Sequence, residues 1–151
     1  EDDTKVSLDL GDPGLVSRNK EDLKSMIKDF ADIVFANEKE AFELTGKKAE
    51  EALEDISNIS DIAIVKVGEK GSFIKKGQRK VFINAFKTKA IDTTGAGDMY
   101  AAGFLYGYCN GFPIERSGKL ASYISSKVVS QVGARLDKIK KEEIDIILLK
   151  G

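Results

Sequence analysis

The chain has 151 residues, a length that fits one domain or a piece of a larger one, and its 42% hydrophobic and 32% charged residues are the balance of a folded globular chain. Its 24 Lys and Arg against 25 Asp and Glu leave a net charge of −1, which speaks against nucleic acid or an anionic membrane as a partner. With no histidine and a single cysteine, Cys109, the sequence excludes Ser–His and Cys–His catalysis, His-ligated zinc and an internal disulfide within this chain, and fits a reducing cytoplasm.

In chain order, "EDDTKVSLDL" lacks an initiating methionine and enters a strand at once, so a fragment boundary is expected there. It carries no signal-peptide pattern, and no apolar run in the chain approaches the roughly 18 residues of a membrane span. Val6, Leu8 and Leu10 alternate as a strand, closed by a turn at Gly11-Asp12-Pro13-Gly14. "NKEDLKSMIKDF" predicts a helix with Asn19 as N-cap and Leu23, Met26, Ile27 and Phe30 along one stripe. "DIVFAN" reads as a strand, and "EKEAFELTG" as a helix with Ala41, Phe42 and Leu44 inward, stopped at Gly46. A helix over "KAEEALEDISN" and a buried strand over "DIAIVKV" follow, then a hairpin turning about Gly77 in "SFIKKGQRKVFINAF".

From about Gly95 a helix runs to Cys109 and ends at Asn110-Gly111. Pro113 opens the next, striped by Leu120, Ile124, Val128 and Val132 and ended by Gly133, and "KEEIDIILLK" closes the chain as an amphipathic helix. Tyr100, Phe104, Tyr106 and Tyr108 read as packing residues, and the charge runs "KKAEEALED" and "KIKKEEID" as solvated helix faces. Strands and helices alternate first and helices cluster later, which predicts an α/β fold with a mostly parallel sheet flanked by helices.

Three stretches carry residue types suited to chemistry. In "DTTGAGD" (92–98), Gly95-Ala96-Gly97-Asp98 opens a helix, where backbone N–H groups lack intrahelical partners and the dipole favours an anion. Asp98 in the same turn suits a general base for an attacking hydroxyl. A threonine-capped helix whose Asp98 merely complements the dipole fits the same residues. In "ANEKEAF", Asn37 ends a strand and Glu38 and Glu40 open a helix, so hard oxygen ligands for Mg²⁺ and a simple helix cap are both open. In "VKVGEKGSF", Gly68 and Gly71 after a strand suit either a nucleotide lying against the backbone or a plain turn; the spacing is not that of a Walker A loop.

Taken together and in this order, "DTTGAGD", "NEKE" (37–40) and "VGEKGS" (67–72) resemble the C-terminal signature, the Asn-x-x-Glu motif and the Gly-x-x-Gly nucleotide loop of the ribokinase-like (PfkB) sugar and nucleoside kinases. The resemblance covers essentially the whole chain, but members are about twice as long. It therefore implies the C-terminal part of a ribokinase-like kinase domain over residues 1–151, with the N-terminal part and the β-sheet lid missing. It further implies an ATP-dependent kinase phosphorylating an alcohol of a small sugar or nucleoside. By the same resemblance, Asp98 is the general base and the backbone of Gly95, Ala96 and Gly97 the anion hole. Asn37 and Glu40 would organise Mg²⁺ and its waters; Gly68, Gly71, Lys66 and Asn37 would contact the nucleotide. Asp92 and Thr94 match where many members hold a monovalent cation such as K⁺, and "QVGAR" (131–135) the segment closing that site and the adenine pocket.

Lys66 stands where many sugar kinases carry threonine, and "DLGDPG" (9–14) replaces an Asp-x-Asn-x-Arg pattern, closer to the adenosine-kinase-like branch. An adenosine or nucleoside kinase and a non-catalytic nucleotide-binding module are the alternatives. A homodimer of the full-length protein, and self-association or marginal stability of this chain in isolation, complete the expectations.

Overall fold

Apolar runs rich in β-branched residues, each closed by one polar residue, form the central strands. Ile33–Asn37 (β2) and Ile62–Lys66 (β3) are buried at every position but the last, as strands covered on both faces are. The computed structural model describes residues 4–134, 136 and 138–150. With Ser7–Asp9 (β1), Gly71–Lys76 (β4) and Arg79–Asn84 (β5), these strands make one five-stranded sheet in the order β1-β2-β3-β4-β5. β1 to β3 run parallel, and β4 lies antiparallel to β3 and turns back into β5. The expected α/β fold with a small hairpin is the one found, in a mixed sheet whose first three strands are parallel. Two compact units divide the chain: one takes residues up to Gly68 with Ser72–Phe82, the other Glu69–Gly71 with everything from Ile83 onward.

In the first unit, helices Pro13–Arg18 (α1) and Lys20–Phe30 (α2) join β1 to β2, and Glu38–Thr45 (α3) and Ala49–Ser57 (α4) join β2 to β3. A core of Val16, Ile27, Val34, Leu44, Leu53 and Val65, among others, forms beneath them. Ion pairs of Lys75 with Glu54, and of Lys80 with Glu50 (2.9 Å) and Glu54 (3.3 Å), clip the hairpin to α4, so the first charge run is more than a solvated face.

Several expectations for this unit are corrected or refined. Gly11 to Gly14 do not simply close a strand: Asp12 caps a new helix by accepting from Leu15 N–H (2.8 Å), and Pro13 takes its first position. Asn19 takes the N-cap position of α2 as expected, its C=O accepting from Leu23 N–H (2.9 Å), but makes no side-chain cap bond there; its Nδ2 donates back to Leu15 C=O of α1 (2.8 Å). Met26 and Phe30 are exposed, leaving Leu23 and Ile27 as the buried stripe of α2. Phe42 also faces out, 52% exposed, because the inward face of α3 is Glu40, Ala41 and Leu44, and position 42 lies about 200° around the helix from position 40.

The second unit is built on helices Ala96–Cys109 (α5), Ile114–Val129 (α6) and Lys141–Lys150 (α7). Small residues bring α5 onto α6: a Cβ on Gly103 would sit 2.9 Å from Ala121 Cα, and one on Gly107 2.9 Å from Ser117 Oγ. Leu120, Ile124 and Leu148 form a cluster with Met99, Tyr123 and Ile147 around them. Ser122 Oγ donates to Asn84 C=O and accepts from Phe86 N–H, both at 3.2 Å, fixing the end of β5 to α6. Val132, expected on the α6 stripe, is 83% exposed because the helix ends at Val129.

Candidate functional site

The parallel register sets polar residues at the carboxyl ends of three neighbouring strands in the first unit. Asn37 of β2 is paired with Lys66 of β3, and Asp9 ends β1 beside them. Lys66 Nζ lies 3.1 Å from Asp9 Oδ2, with the lysine side chain only 15% exposed. Asn37 and Glu40 close a reciprocal cap on α3. Asn37 Oδ1 accepts from Glu40 N–H at 2.9 Å, while the Glu40 carboxylate accepts from Asn37 N–H (2.8 Å) and Nδ2 (2.9 Å). Glu40 is 3% exposed. Burial pushes its carboxyl above the usual range; the Asn37 N–H opposes this, Asp9 and Asp12 add to it and Lys66 offsets part of it.

The loop after β3 makes a 3-10 turn, Gly68–Lys70. Gly71 belongs to the second unit and has a packing reason of its own: with φ of 131°, a Cβ there would fall 1.9 Å from the Ile83 carbonyl oxygen. Gly68, at φ 61° in the first unit, has open space where a Cβ would be.

In the second unit the stretch 92–98 folds into a tight turn and then α5. Asp92 anchors it: Oδ1 accepts from Thr94 N–H (2.9 Å) and Oδ2 from Gly133 N–H (3.0 Å), tying the turn to the segment after α6. Hydrogen bonds from Thr94 and Gly133 hold the Asp92 carboxyl below its usual range. Gly95, at φ 79°, takes the N-cap, and a Cβ there would lie 2.7 Å from Ala134 Cβ, so only glycine fits both the backbone and the space. The Ala96 N–H donates to Thr93 C=O (3.2 Å), and the first full-turn bond of the helix runs from Met99 N–H to Gly95 C=O (3.0 Å). Among the described residues the N–H groups of Gly95, Gly97 and Asp98 are thus left without a protein acceptor, whereas that of Ala96, expected in the same set, is engaged. The Asp98 side chain is exposed.

Such an array, at the positive end of a helix and with a carboxylate in its first turn, can receive an anion and take a proton beside it. The structure thus gathers Asp92, Thr94, Gly95, Ala96, Gly97 and Asp98 in one unit and Asn37, Glu40 and Lys66 in the other. Of the expected closing segment, Gln131 to Ala134 run past Gly95 and Asp92 as above, while Arg135 lies outside the described residues. Asp9 as the partner of Lys66 was not among the expected site residues; only the strand register brings the two together. Among the described residues no three acidic, His or Cys side chains gather as a direct metal site, and no helix is long and apolar enough to cross a membrane.

Solved proteins share this arrangement of elements. The chain superposes on a probable sugar kinase protein from Rhizobium etli with a TM-score of 0.86 and 37% identity, over 90% of this chain and 42% of that one. On the adenosine kinase from Sinorhizobium meliloti the values are 0.84 and 34%, over 89% and 42%. Residues 5–141 match the pfkB family carbohydrate kinase, and the chain belongs to that family. An uncharacterized sugar kinase of Archaeoglobus fulgidus is 38% identical over 131 residues, covering 86% of this chain and 52% of that protein. A nucleoside kinase of Methanocaldococcus jannaschii is 36% identical over 127 residues, covering 82% and 41%. The chain therefore spans about half the length of the curated relatives it matches.

Proposed function

We propose that this chain carries the nucleotide-binding and catalytic residues of an ATP-dependent kinase that phosphorylates an alcohol group of a small sugar or nucleoside. The observation that carries the reading is the start of α5, where acceptor-free N–H groups and the exposed Asp98 carboxylate share one turn. Asp98 takes the proton of the acceptor hydroxyl as its oxygen attacks the γ-phosphorus of ATP and ADP departs. The N–H groups of Gly95, Gly97 and Asp98 meet the negative charge of the transferring group, and Ala96 shapes the turn. Gly68, Gly71, Lys66 and Asn37 contact the nucleotide, the Lys66 ammonium adding positive charge.

The donor set fits Mg²⁺ held through water. Asn37 Oδ1 and the two Glu40 oxygens are hard donors that each accept one hydrogen bond within the cap, a set that suits an ion held through its waters of hydration. When bound, the ion neutralises phosphate charge. Asp92, with its two N–H bonds, and the Thr94 backbone are the proposed holders of K⁺. Relatives named for sugars and for nucleosides match at similar identity, so both acceptor classes belong to the proposal. It includes a cytoplasmic location, to which a single cysteine is suited, and a homodimeric full-length protein, which light scattering tests.

The test is a panel of sugars and nucleosides incubated with the full-length protein, ATP and Mg²⁺, and read by phosphorus NMR. A new phosphate monoester on a panel member is expected. ATP binding without any transfer would instead identify a nucleotide-binding module.

A further inference from the structure

The peptide between Ala96 and Gly97 joins two things that matter at the start of α5. Its N–H, on Gly97, is one of the acceptor-free donors; its C=O, on Ala96, accepts from the Ser125 hydroxyl of α6 at 3.1 Å. Because a peptide unit is planar and trans, holding the carbonyl fixes the direction of the N–H at its other end. The neighbouring planes are fixed by other means. Thr94 N–H is held by Asp92, Thr93 C=O by Ala96 N–H, and Gly95 C=O by Met99 N–H.

The Ala96 C=O also lies within α5 as the acceptor for Tyr100 N–H, so the Ser125 hydroxyl is a second donor on this carbonyl, and the one that reaches it from another helix. Ser125 stands on a rigid base, since α6 meets α5 at the Gly103–Ala121 and Gly107–Ser117 contacts within the same unit. Donation to the carbonyl also polarises the peptide and makes its N–H a stronger donor.

We propose that Ser125 is a positioning residue for the phosphate-binding turn: its hydroxyl holds the Ala96–Gly97 peptide so that the Gly97 N–H aims at the anion. This rests on the reading of that turn as an anion hole. Nothing in local sequence pattern marks the residue, which lies 29 positions from its acceptor.

The experiment compares the full-length protein with Ser125→Ala, Ser125→Cys and Ser125→Thr. Inorganic phosphate is titrated while the Gly97 and Asp98 amide signals are followed by nitrogen-15 NMR, and kcat and acceptor KM are measured alongside. Alanine is the better helix former and cysteine nearly matches serine in size, so both variants retain the fold. The wild-type amides are expected to shift with phosphate. Loss of one hydrogen bond of ordinary net strength should weaken phosphate binding about fivefold in the Ala and Cys variants. Their kcat should fall by a similar factor at unchanged acceptor KM, and Thr, which keeps the hydroxyl, should restore both. Wild-type phosphate affinity and kcat in the Ala and Cys variants overturn the role of Ser125 and leave the anion hole standing. Wild-type amides that ignore phosphate overturn the anion hole itself, and the role of Ser125 with it.

Discussion

Replacing Gly95 by alanine tests the geometry on which the turn at the start of α5 depends. Gly95 has a φ of 79°, a left-handed conformation that costs a residue with a Cβ about 1–2 kcal/mol. The added methyl would also lie 2.7 Å from Ala134 Cβ, 3.0 Å from its Cα and 3.1 Å from its carbonyl oxygen. Two of those three atoms are backbone and cannot rotate away, so the overpacking adds about 1–3 kcal/mol. The sum, about 2–5 kcal/mol, is a large part of the ~5–15 kcal/mol that holds a typical domain folded. Urea denaturation of the full-length protein measures it. Ala134→Gly in the same background separates the two contributions, because it deletes the nearest contact and leaves the φ strain. The double variant should regain at least about 1 kcal/mol relative to additivity. A Gly95→Ala variant within about 0.5 kcal/mol of wild type would refute the assignment of Gly95 to a crowded left-handed cap.

Asp92→Asn should destabilise the turn, because an amide presents one oxygen where two backbone N–H groups now find acceptors. The wild-type carboxyl is held below its ordinary 3.8, so the unfolded chain binds the proton more readily and stability falls as pH drops from that value through the folded pKa. The Tm of the Asn variant should lack that acid-side loss, and equal slopes in the two proteins would contradict the bonding seen for Asp92. Lys66→Met should push the Glu40 carboxyl further up, and Asp9→Asn should bring it down, since Lys66 opposes and Asp9 reinforces its shift. Carbon-13 NMR titration of the Glu40 carboxyl reads both, and a Glu40 indifferent to either change would contradict the cluster at the strand ends.

Long, strongly patterned elements were legible in the sequence. β2 and β3 announce themselves as short apolar runs rich in β-branched residues, and α5 by its small-residue start and Asn110-Gly111 stop. Local ambiguity accounts for α1, where Asp12-Pro13 serves equally as a turn and as a helix start. Spacing alone placed Met26, Phe30, Phe42 and Val132 inward; which arc of a helix meets the sheet, and where the helix ends, are set by packing. The candidate site divides the same way. Asn37, Glu40, Gly95 and Asp98 stand in recognisable local patterns. The Asp9–Lys66 pair spans 57 positions and exists only through strand register, and the Ser125 bond only through the α5–α6 crossing. Gly71 illustrates the converse: a glycine read as a nucleotide contact is also required by the close approach of Ile83.

Phosphoryl transfer by an Asp98→Asn variant of the full-length protein is the most direct test of the kinase assignment. With ATP, Mg²⁺ and the best acceptor from the panel, removing the base should lower kcat by ~10²–10⁴-fold. ATP affinity by calorimetry should stay within about twofold, since the N–H donors of the turn are untouched. Turnover near the wild-type rate in that variant would contradict the role of Asp98 and with it the reading of the α5 turn as the centre of phosphoryl transfer.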